Sequence, residues 1–182
     1  MATKGPAQSS RRAPRHYTFV LATVLTGAVA AIGLAPSAPV AARASADSAL
    51  QDRAAIQNLV VKYTIALDTL DADMYASVFA EDAEFTFGGK TYKGRAEIRK
   101  IVTDLKERRA AAQTSDAPKS YHALSNTYIE LVNDHEARHR SYWQTITGPS
   151  SGPFTVGGMG RYEDTLVKRN GQWLIQKRQI IQ

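Results

Sequence analysis

The sequence predicts an α+β domain, with helices first and a mostly antiparallel sheet after them. Two patterns carry this prediction. Apolar residues recur at three- and four-residue steps over residues 50–67 and 95–112, as in helices with one buried face. From residue 121 onward, long alternating stretches are separated by short turn signals, as in neighbouring strands. A strongly bent sheet wrapped around a long helix would leave an apolar cone with one open end.

Each predicted helix has a recognisable stripe or cap. The first, over residues 50–67, carries an apolar stripe that includes Tyr63. Asp71 is placed to cap a short second helix over residues 72–79, with Met74, Val78 and Phe79 as its buried side chains. The third helix, over residues 95–112, ends in Lys106-Glu107-Arg108-Arg109, which we expect to form a solvated face near the helix terminus.

The predicted strands are bounded by glycine and asparagine turns. A strand over residues 83–87 breaks at Gly88-Gly89, and a short return strand follows around residues 91–92. Asn170-Gly171 predicts a tight hairpin, because both residues tolerate the positive φ of a type I′ turn. The long strands are expected over residues 122–131, 137–147, 158–169 and 172–181.

The charge of the chain is concentrated at its beginning. The 182 residues carry a formal net charge of +6 and no cysteine, which excludes disulfides and thiol chemistry. Residues 1–46 hold five of the 23 basic residues and no acidic one, which leaves 18 basic against 17 acidic residues in 47–182. The remaining domain therefore has a net charge of +1, and we expect no nucleic-acid partner.

The first 46 residues have the layout of an export signal. A basic stretch precedes an uncharged apolar run, Tyr17–Leu34, and the small residues Ala44-Ser45-Ala46 suit a signal peptidase. We therefore expect cleavage near residue 46, a working domain over 47–182, and a secreted, periplasmic or cell-envelope location. Contact with a membrane would then be limited to this segment. The alternative is an uncleaved N-terminal membrane anchor, because the run approaches the length of a spanning helix.

Six short motifs, in order, resemble the SnoaL-like branch of the nuclear transport factor 2-like (cystatin-like) superfamily. They are Tyr63-x4-Asp68, Phe79-x-Glu-Asp-Ala-x-Phe, Gly94-Arg-Ala-Glu-Ile, His122-x3-Asn126, Gly160-x-Tyr162-x-Asp164 and Trp173-x-Ile-x2-Arg178. The resemblance covers nearly all of 50–182. It implies a cone-shaped barrel that holds a small apolar molecule and is often dimeric. The family includes scytalone dehydratase-like and bile-acid dehydratase-like enzymes as well as members without catalytic activity, so the fold alone does not give the function.

His122 is the centre of the predicted site. Strand alternation places it on the same face as Leu124, Asn126 and Tyr128, which we expect to face the cavity. A neutral imidazole in a dry pocket can take a proton from a carbon beside a carbonyl when its tautomer is fixed. The resemblance to the dehydratases implies His122 as base, Asp68 as the group that orients it and Tyr63 as hydrogen-bond donor to the substrate. The alternative is a purely structural pair of His122 and Asp68.

Further residues are candidates for contact with the substrate. Tyr142, Trp143 and Tyr162 are expected either as pocket walls or as packing aromatics, and Asn126 as a polar contact. Arg178 could bind a substrate carboxylate or pair with Asp164.

No metal site and no organic cofactor are expected. His135 and His139 have the spacing of a helical metal pair, but they span a turn and a strand.

The sequence therefore predicts an exported enzyme that dehydrates or isomerises a small hydrophobic, cyclic substrate by proton abstraction, and that forms a homodimer. The alternative is a non-catalytic module of the same fold that binds a small ligand or serves dimerisation.

Overall fold

A computed structural model describes residues 40–112, 118–149 and 151–182. The helices are α1 (Val40–Asp68), α2 (Ala72–Ser77) and α3 (Gly94–Ala111). The strands are β1 (Phe79–Phe87), β2 (Lys90–Lys93), β3 (Lys119–Leu131), β4 (Glu136–Gly148), β5 (Thr155–Arg169) and β6 (Gln172–Ile181). Helices thus precede a run of strands, and the predicted α+β class is confirmed.

The predicted export segment lies mostly outside the described residues. The apolar run Tyr17–Leu34 belongs to this part of the chain, whereas Ala44-Ser45-Ala46 lie in α1. Among the described residues, no helix is long and apolar enough to cross a membrane.

Local sequence signals account for the helix starts and the tight turns. The Asp71 carboxylate accepts the backbone N–H groups of Asp73 and Met74, so it caps α2 as predicted. At the start of α3, Glu97 reaches back to accept the backbone N–H of Lys93 at 2.8 Å. Asn170 and Gly171 both have positive φ, 52° and 78°, as the hairpin prediction required.

The six strands form one curved, open, mixed sheet. Their order is β2-β1-β6-β5-β4-β3, so β2 and β3 are its edges. The pair β1–β6 is parallel and every other neighbouring pair is antiparallel. The expected curved, mostly antiparallel sheet beside N-terminal helices is therefore present, but the sheet does not close into a barrel.

The prediction for the boundary between α2 and β1 was wrong by several residues. The second helix ends at Ser77, and β1 already begins at Phe79 instead of residue 83. Phe79 and Ala80 are both buried, so the strand starts without the alternation that marks a half-buried strand. The parallel pairing with β6 is also irregular between Phe79 and Glu84.

The hydrophobic core lies between the helices and the inner face of the sheet, which is the face that they cover. Trp173 joins the two layers, because its Nε1 donates to Asp52 of α1 at 2.9 Å. The largest fully buried apolar and aromatic side chains are Ile56, Tyr63, Tyr75, Val78, Phe79, Ile98, Val102, Tyr162, Leu166 and Ile175.

A bulge in β3 changes which residues face the core. Ser125 pairs with Tyr142 but Tyr128 pairs with Arg140, so β3 holds one extra residue at this point. The extra residue lies at Asn126, whose φ is 50°. Beyond the bulge the alternation is shifted, and Ile129 is buried while Tyr128 is exposed.

Candidate functional site

Asp68 and His122 form the polar centre of the site. Asp68 is the last residue of α1, and His122 lies near the start of β3. Oδ1 of Asp68 is 2.5 Å from Nδ1 of His122, and Oδ2 accepts the backbone N–H of His122 at 3.0 Å. Their side chains are 16% and 15% exposed, so the pair is shielded but still reachable.

Both residues line a cavity of about 400 Å³ on the inner face of the sheet. This volume suits a small ligand. Tyr63 lines the same cavity, so the structure brings together all three residues for which catalytic roles were implied. Most of the wall is apolar or aromatic, and it includes Leu67, Tyr75, Phe85, Phe87, Tyr92, Ile101, Leu105, Trp143, Tyr162 and Ile180.

Tyr63 packs against three other aromatic rings. Its ring meets Tyr75, Phe79 and Tyr162 with centroid distances of 5.0, 6.0 and 5.6 Å. The hydroxyl of Tyr75 donates to that of Tyr63 at 3.4 Å, and burial raises the pKa of Tyr75 well above its ordinary value. Tyr75 thus stays protonated as a donor. Sequence reasoning overlooked it, because α2 is too short for a clear apolar stripe.

A second, fully buried ionic cluster lies behind the tyrosines. Nε and Nη2 of Arg178 donate to the two oxygens of Asp164 at 2.8 and 2.6 Å. Nδ1 of His139 lies 2.7 Å from Oδ2 of the same carboxylate. The guanidinium carbon of Arg178 is 4.0 Å from the ring centroid of Tyr63 and 4.4 Å from that of Tyr162.

This cluster is charged in spite of its burial. Burial opposes ionisation of Asp164, but the adjacent guanidinium and the His139 hydrogen bond outweigh it and hold the pKa of the carboxyl below its ordinary value. Burial alone would lower the pKa of Arg178, but the negative charge of Asp164 outweighs burial and raises this pKa above its ordinary value. The cluster therefore forms a fixed support behind the rings of Tyr63 and Tyr162.

Arg178 does not reach the cavity, which corrects its predicted contact with substrate. Its Nε and Nη2 atoms both bind Asp164, and pairing with Asp164 was the second of the two roles considered for this residue. His139 belongs to the same cluster, whereas His135 is exposed. In the parts of the chain that the structure describes, no three histidine or acidic side chains come close enough to hold a metal ion.

Two other predicted contact residues lie on the outer face of the sheet, away from the helices. Tyr142 is 52% exposed, because its neighbours on β4, Ser141 and Trp143, face inward and alternation turns it outward. Asn126 is exposed at the bulge of β3. Neither residue lines the cavity, so the prediction that both contact a molecule bound there was wrong.

Trp143 and Tyr162 do line the cavity, and their rings are stacked with centroids 6.1 Å apart. Ser120 and Thr145 add hydroxyl groups to the wall. Four buried polar atoms of the inner face have no hydrogen-bond partner among the described residues: His139 Nε2, Ser141 Oγ, Trp143 Nε1 and Arg178 Nη1. His139, Ser141 and Trp143 alternate along β4, so their side chains place a row of polar atoms within the apolar core.

Arg108 and Arg109 also line the cavity. The sequence pattern suggested a solvated helix face, and Arg108 is indeed exposed, but Arg109 is half-buried. Both residues lie in the last turn of α3. The charged sequence did not predict that these arginines border the cavity, because only the packing of α3 shows which side of the helix lies beside it.

Comparison with known proteins identifies the family. A model of the SnoaL-like domain matches residues 48–179. The chain belongs to the SnoaL-like domain family. The match begins within α1 and ends within β6, so it includes all the residues of the cavity wall except Ile180 and Gln182.

Several solved structures are similar to this SnoaL-like chain. A candidate scytalone dehydratase of Novosphingobium aromaticivorans DSM 12444 is 26% identical over 74% of this chain and 86% of its own, with a TM-score of 0.61. LinA is 25% identical over 75% of this chain and 88% of its own, with a TM-score of 0.60.

An NTF2-like protein with a cystatin-like fold from Novosphingobium aromaticivorans is 23% identical over 79% of this chain and 89% of its own, with a TM-score of 0.67. At this identity the likeness concerns the fold alone. None of the curated proteins matches the chain.

Proposed function

We propose that this SnoaL-like protein is a cofactor-independent enzyme that removes a proton from a carbon atom of a small, apolar, cyclic substrate. The outcome would be dehydration or isomerisation. The observation that carries the proposal is the 2.5 Å contact between Nδ1 of His122 and Asp68 on the wall of an otherwise apolar cavity. The likeness to a candidate scytalone dehydratase at 26% identity agrees with this reaction class.

His122 would act as the base through its other ring nitrogen. With Asp68 accepting from Nδ1, the proton stays on that nitrogen, and Nε2 presents a lone pair. No hydrogen bond from Nε2 to a described residue competes with a substrate for this lone pair. Nε2 would take the proton from carbon, and the C–H electron pair would pass into the substrate as an enolate.

Tyr63 would stabilise the negative charge on the substrate oxygen. Tyr75 donates to the oxygen of Tyr63, so the hydroxyl hydrogen of Tyr63 can be donated to a substrate oxygen once it is released from its contact with Tyr162. A preorganised donor of this kind stabilises charge that develops during the reaction. In a dehydration, the protonated His122 would return its proton to the departing hydroxyl, so that water leaves and no cofactor is required.

The test is hydrogen exchange in D₂O on a simple probe, the cyclic ketone α-tetralone, followed by proton NMR. We expect the protein to accelerate the loss of the proton signal of the hydrogens on the carbon beside the carbonyl, as deuterium replaces them. A general base contributes about 10²- to 10⁴-fold, so His122→Ala should remove most of the acceleration. His135→Ala, which changes an exposed histidine, is the matched control and should exchange like the wild type.

Equal rates for wild type and His122→Ala, with the ketone demonstrably bound, would reject the catalytic role. The protein would then be the non-catalytic ligand-binding module that the same cavity allows. Binding is measured separately by titration calorimetry with the same ketone.

We also propose that the working protein is exported and dimeric. Export rests on the N-terminal charge and apolar pattern, and sequencing the N-terminus of the secreted form would locate cleavage near residue 46. Dimerisation is supported by large exposed side chains on the outer sheet face: Tyr128, Tyr142 and Met159 are 59, 52 and 63% exposed. Light scattering should give a dimer for the wild type and a monomer for Tyr142→Glu.

A further inference from the structure

Two arginines that form no ion pair with any described residue border the cavity. Arg108 and Arg109 end α3, and both line the cavity together with the apolar side chains Ile101 and Leu105 of the same helix. Neither guanidinium group forms a hydrogen bond or an ion pair with any described residue, although the backbone carbonyl of Arg108 accepts the N–H of Ala112. By contrast, Arg95, Arg99, Arg161, Arg169 and Arg178 each pair with a carboxylate.

The described wall of the cavity supplies no free carboxylate side chain for these arginines. Among the described residues of its wall, Asp68 is the one acidic side chain, and both of its oxygens already contact His122. A favourable interaction with the α3 dipole explains positive charge in a last helical turn. It does not explain why half-buried Arg109 lies against a mostly apolar wall without forming an ion pair with a described residue.

We propose that the molecule bound in the cavity is an apolar cyclic carboxylic acid, whose carboxylate is held by Arg108 and Arg109. Its ring would lie among the aromatic side chains near His122. Arginine suits this role because its planar donors match the two oxygens of a carboxylate. The inference names the substrate class for the proposed function, and it rests on the binding part of that proposal.

The near-neutral charge of the domain makes the prediction specific. Residues 47–182 carry 18 basic and 17 acidic side chains, so this part of the chain attracts anions only weakly in general. Residues 1–46 add five basic side chains to the full protein, and a control variant must therefore separate local contact from general attraction. Lys106 provides a matched control, because it is a cation of the same helix, two residues before Arg108, that is exposed and does not line the cavity.

The experiment compares 2-naphthoate with its uncharged analogue 2-naphthamide by titration calorimetry on the full protein. We expect wild type to bind the acid about tenfold or more tightly than the amide, as for a charge-assisted contact. Arg108→Gln/Arg109→Gln should weaken binding of the acid about tenfold and leave that of the amide within about twofold. Lys106→Gln should behave like the wild type toward both compounds.

Three results would overturn the inference. Equal affinity of wild type for the acid and the amide would remove the anion preference. An equal loss in Lys106→Gln would replace a contact with diffuse attraction, and failure of both compounds to bind would reject the ligand-binding cavity itself. If instead the acid preference persists while His122→Ala does not slow ketone exchange, the proposed chemistry fails and the carboxylate site stands.

Discussion

Asp68 contacts His122 with both of its carboxylate oxygens, one on the ring nitrogen Nδ1 at 2.5 Å and one on the backbone N–H at 3.0 Å. The two residues are 54 positions apart in sequence, and the contacts join the end of α1 to the start of β3. The backbone contact positions the carboxylate, and the positioned carboxylate then fixes the ring. A surface ion pair without the backbone contact would hold the imidazole less firmly.

The first prediction concerns Asp68→Asn. The amide keeps the shape of the carboxylate and can still bind the backbone N–H through its oxygen, so the melting temperature should change little. Its NH₂ group, however, faces Nδ1 and favours the tautomer with the proton on Nε2, which cannot accept a substrate proton. We expect the rate of ketone exchange to fall about 10²- to 10⁴-fold.

The matched control for this experiment is Asp73→Asn, which changes an exposed acidic residue of α2 outside the cavity wall. Its exchange rate should equal that of the wild type. If Asp68→Asn retained full activity, orientation of His122 by Asp68 would not be required for the reaction.

The second prediction tests the buried cluster. In Arg178→Met the charge of Asp164 remains buried without its main partner, and removal of one member of such a pair costs about 3–5 kcal/mol in the free energy of unfolding. Urea denaturation measures this loss. Arg178→Met/Asp164→Asn removes both charges and should recover part of the stability, while His139 can still bond the amide oxygen.

The informative result is which of the two variants has the lower free energy of unfolding. If the double variant were less stable than Arg178→Met, the uncompensated charge of Asp164 would not be the source of the loss. Packing of the guanidinium against Tyr63 and Tyr162 would then account for it.

The third prediction is a loss of stability in acid. The folded protein holds the pKa of Asp164 below its ordinary value of 3.8, because the guanidinium of Arg178 outweighs the effect of burial. A carboxyl with a lowered folded pKa contributes stability above its unfolded pKa and loses it as the pH falls through the folded value. Asp164→Asn lacks this contribution at every pH.

The difference in unfolding free energy between wild type and Asp164→Asn should therefore be constant above about pH 5 and shrink below about pH 4. Urea titrations at several pH values measure it. A difference that grew on acidification would mean that the pKa of Asp164 is raised by burial instead.

The sequence was most informative where a single pattern fixes a single structure. The stripes of α1 and α3, the Asp71 cap and the Asn170-Gly171 turn are local signals, and each is present as predicted. The approach of Asp68 to His122 is non-local. It could be expected only from the family resemblance, because no local pattern determines how two distant elements meet.

Other features lie beyond local patterns. Asn126 adopts positive φ in a bulge that shifts the alternation of β3, and nothing in the neighbouring residues marks the extra residue. The buried pairing of Arg178 was one of two roles that the residue types allowed. Only the register of β5 and β6, which sets Asp164 opposite Arg178, decides between them.

The last prediction explains the glycine of the Gly160-x-Tyr162-x-Asp164 motif. A Cβ atom at Gly160 would lie 2.2 Å from the backbone oxygen of Ile181 and 2.8 Å from the ring of Trp143. Because the first contact is with backbone, the strand pair must move to admit it, and Trp143 forms part of the cavity wall. We expect Gly160→Ala to lose about 1–3 kcal/mol of stability and to weaken binding of α-tetralone.

Gly158 provides the control on the same strand, since a Cβ atom there meets nothing closer than 3.4 Å. Gly158→Ala should keep the stability of the wild type within about 0.5 kcal/mol, as an ordinary substitution does. Urea denaturation and titration calorimetry measure both effects. If the two alanine variants were equally stable, the close approach of β5 to β6 and Trp143 at Gly160 would not be what requires glycine there.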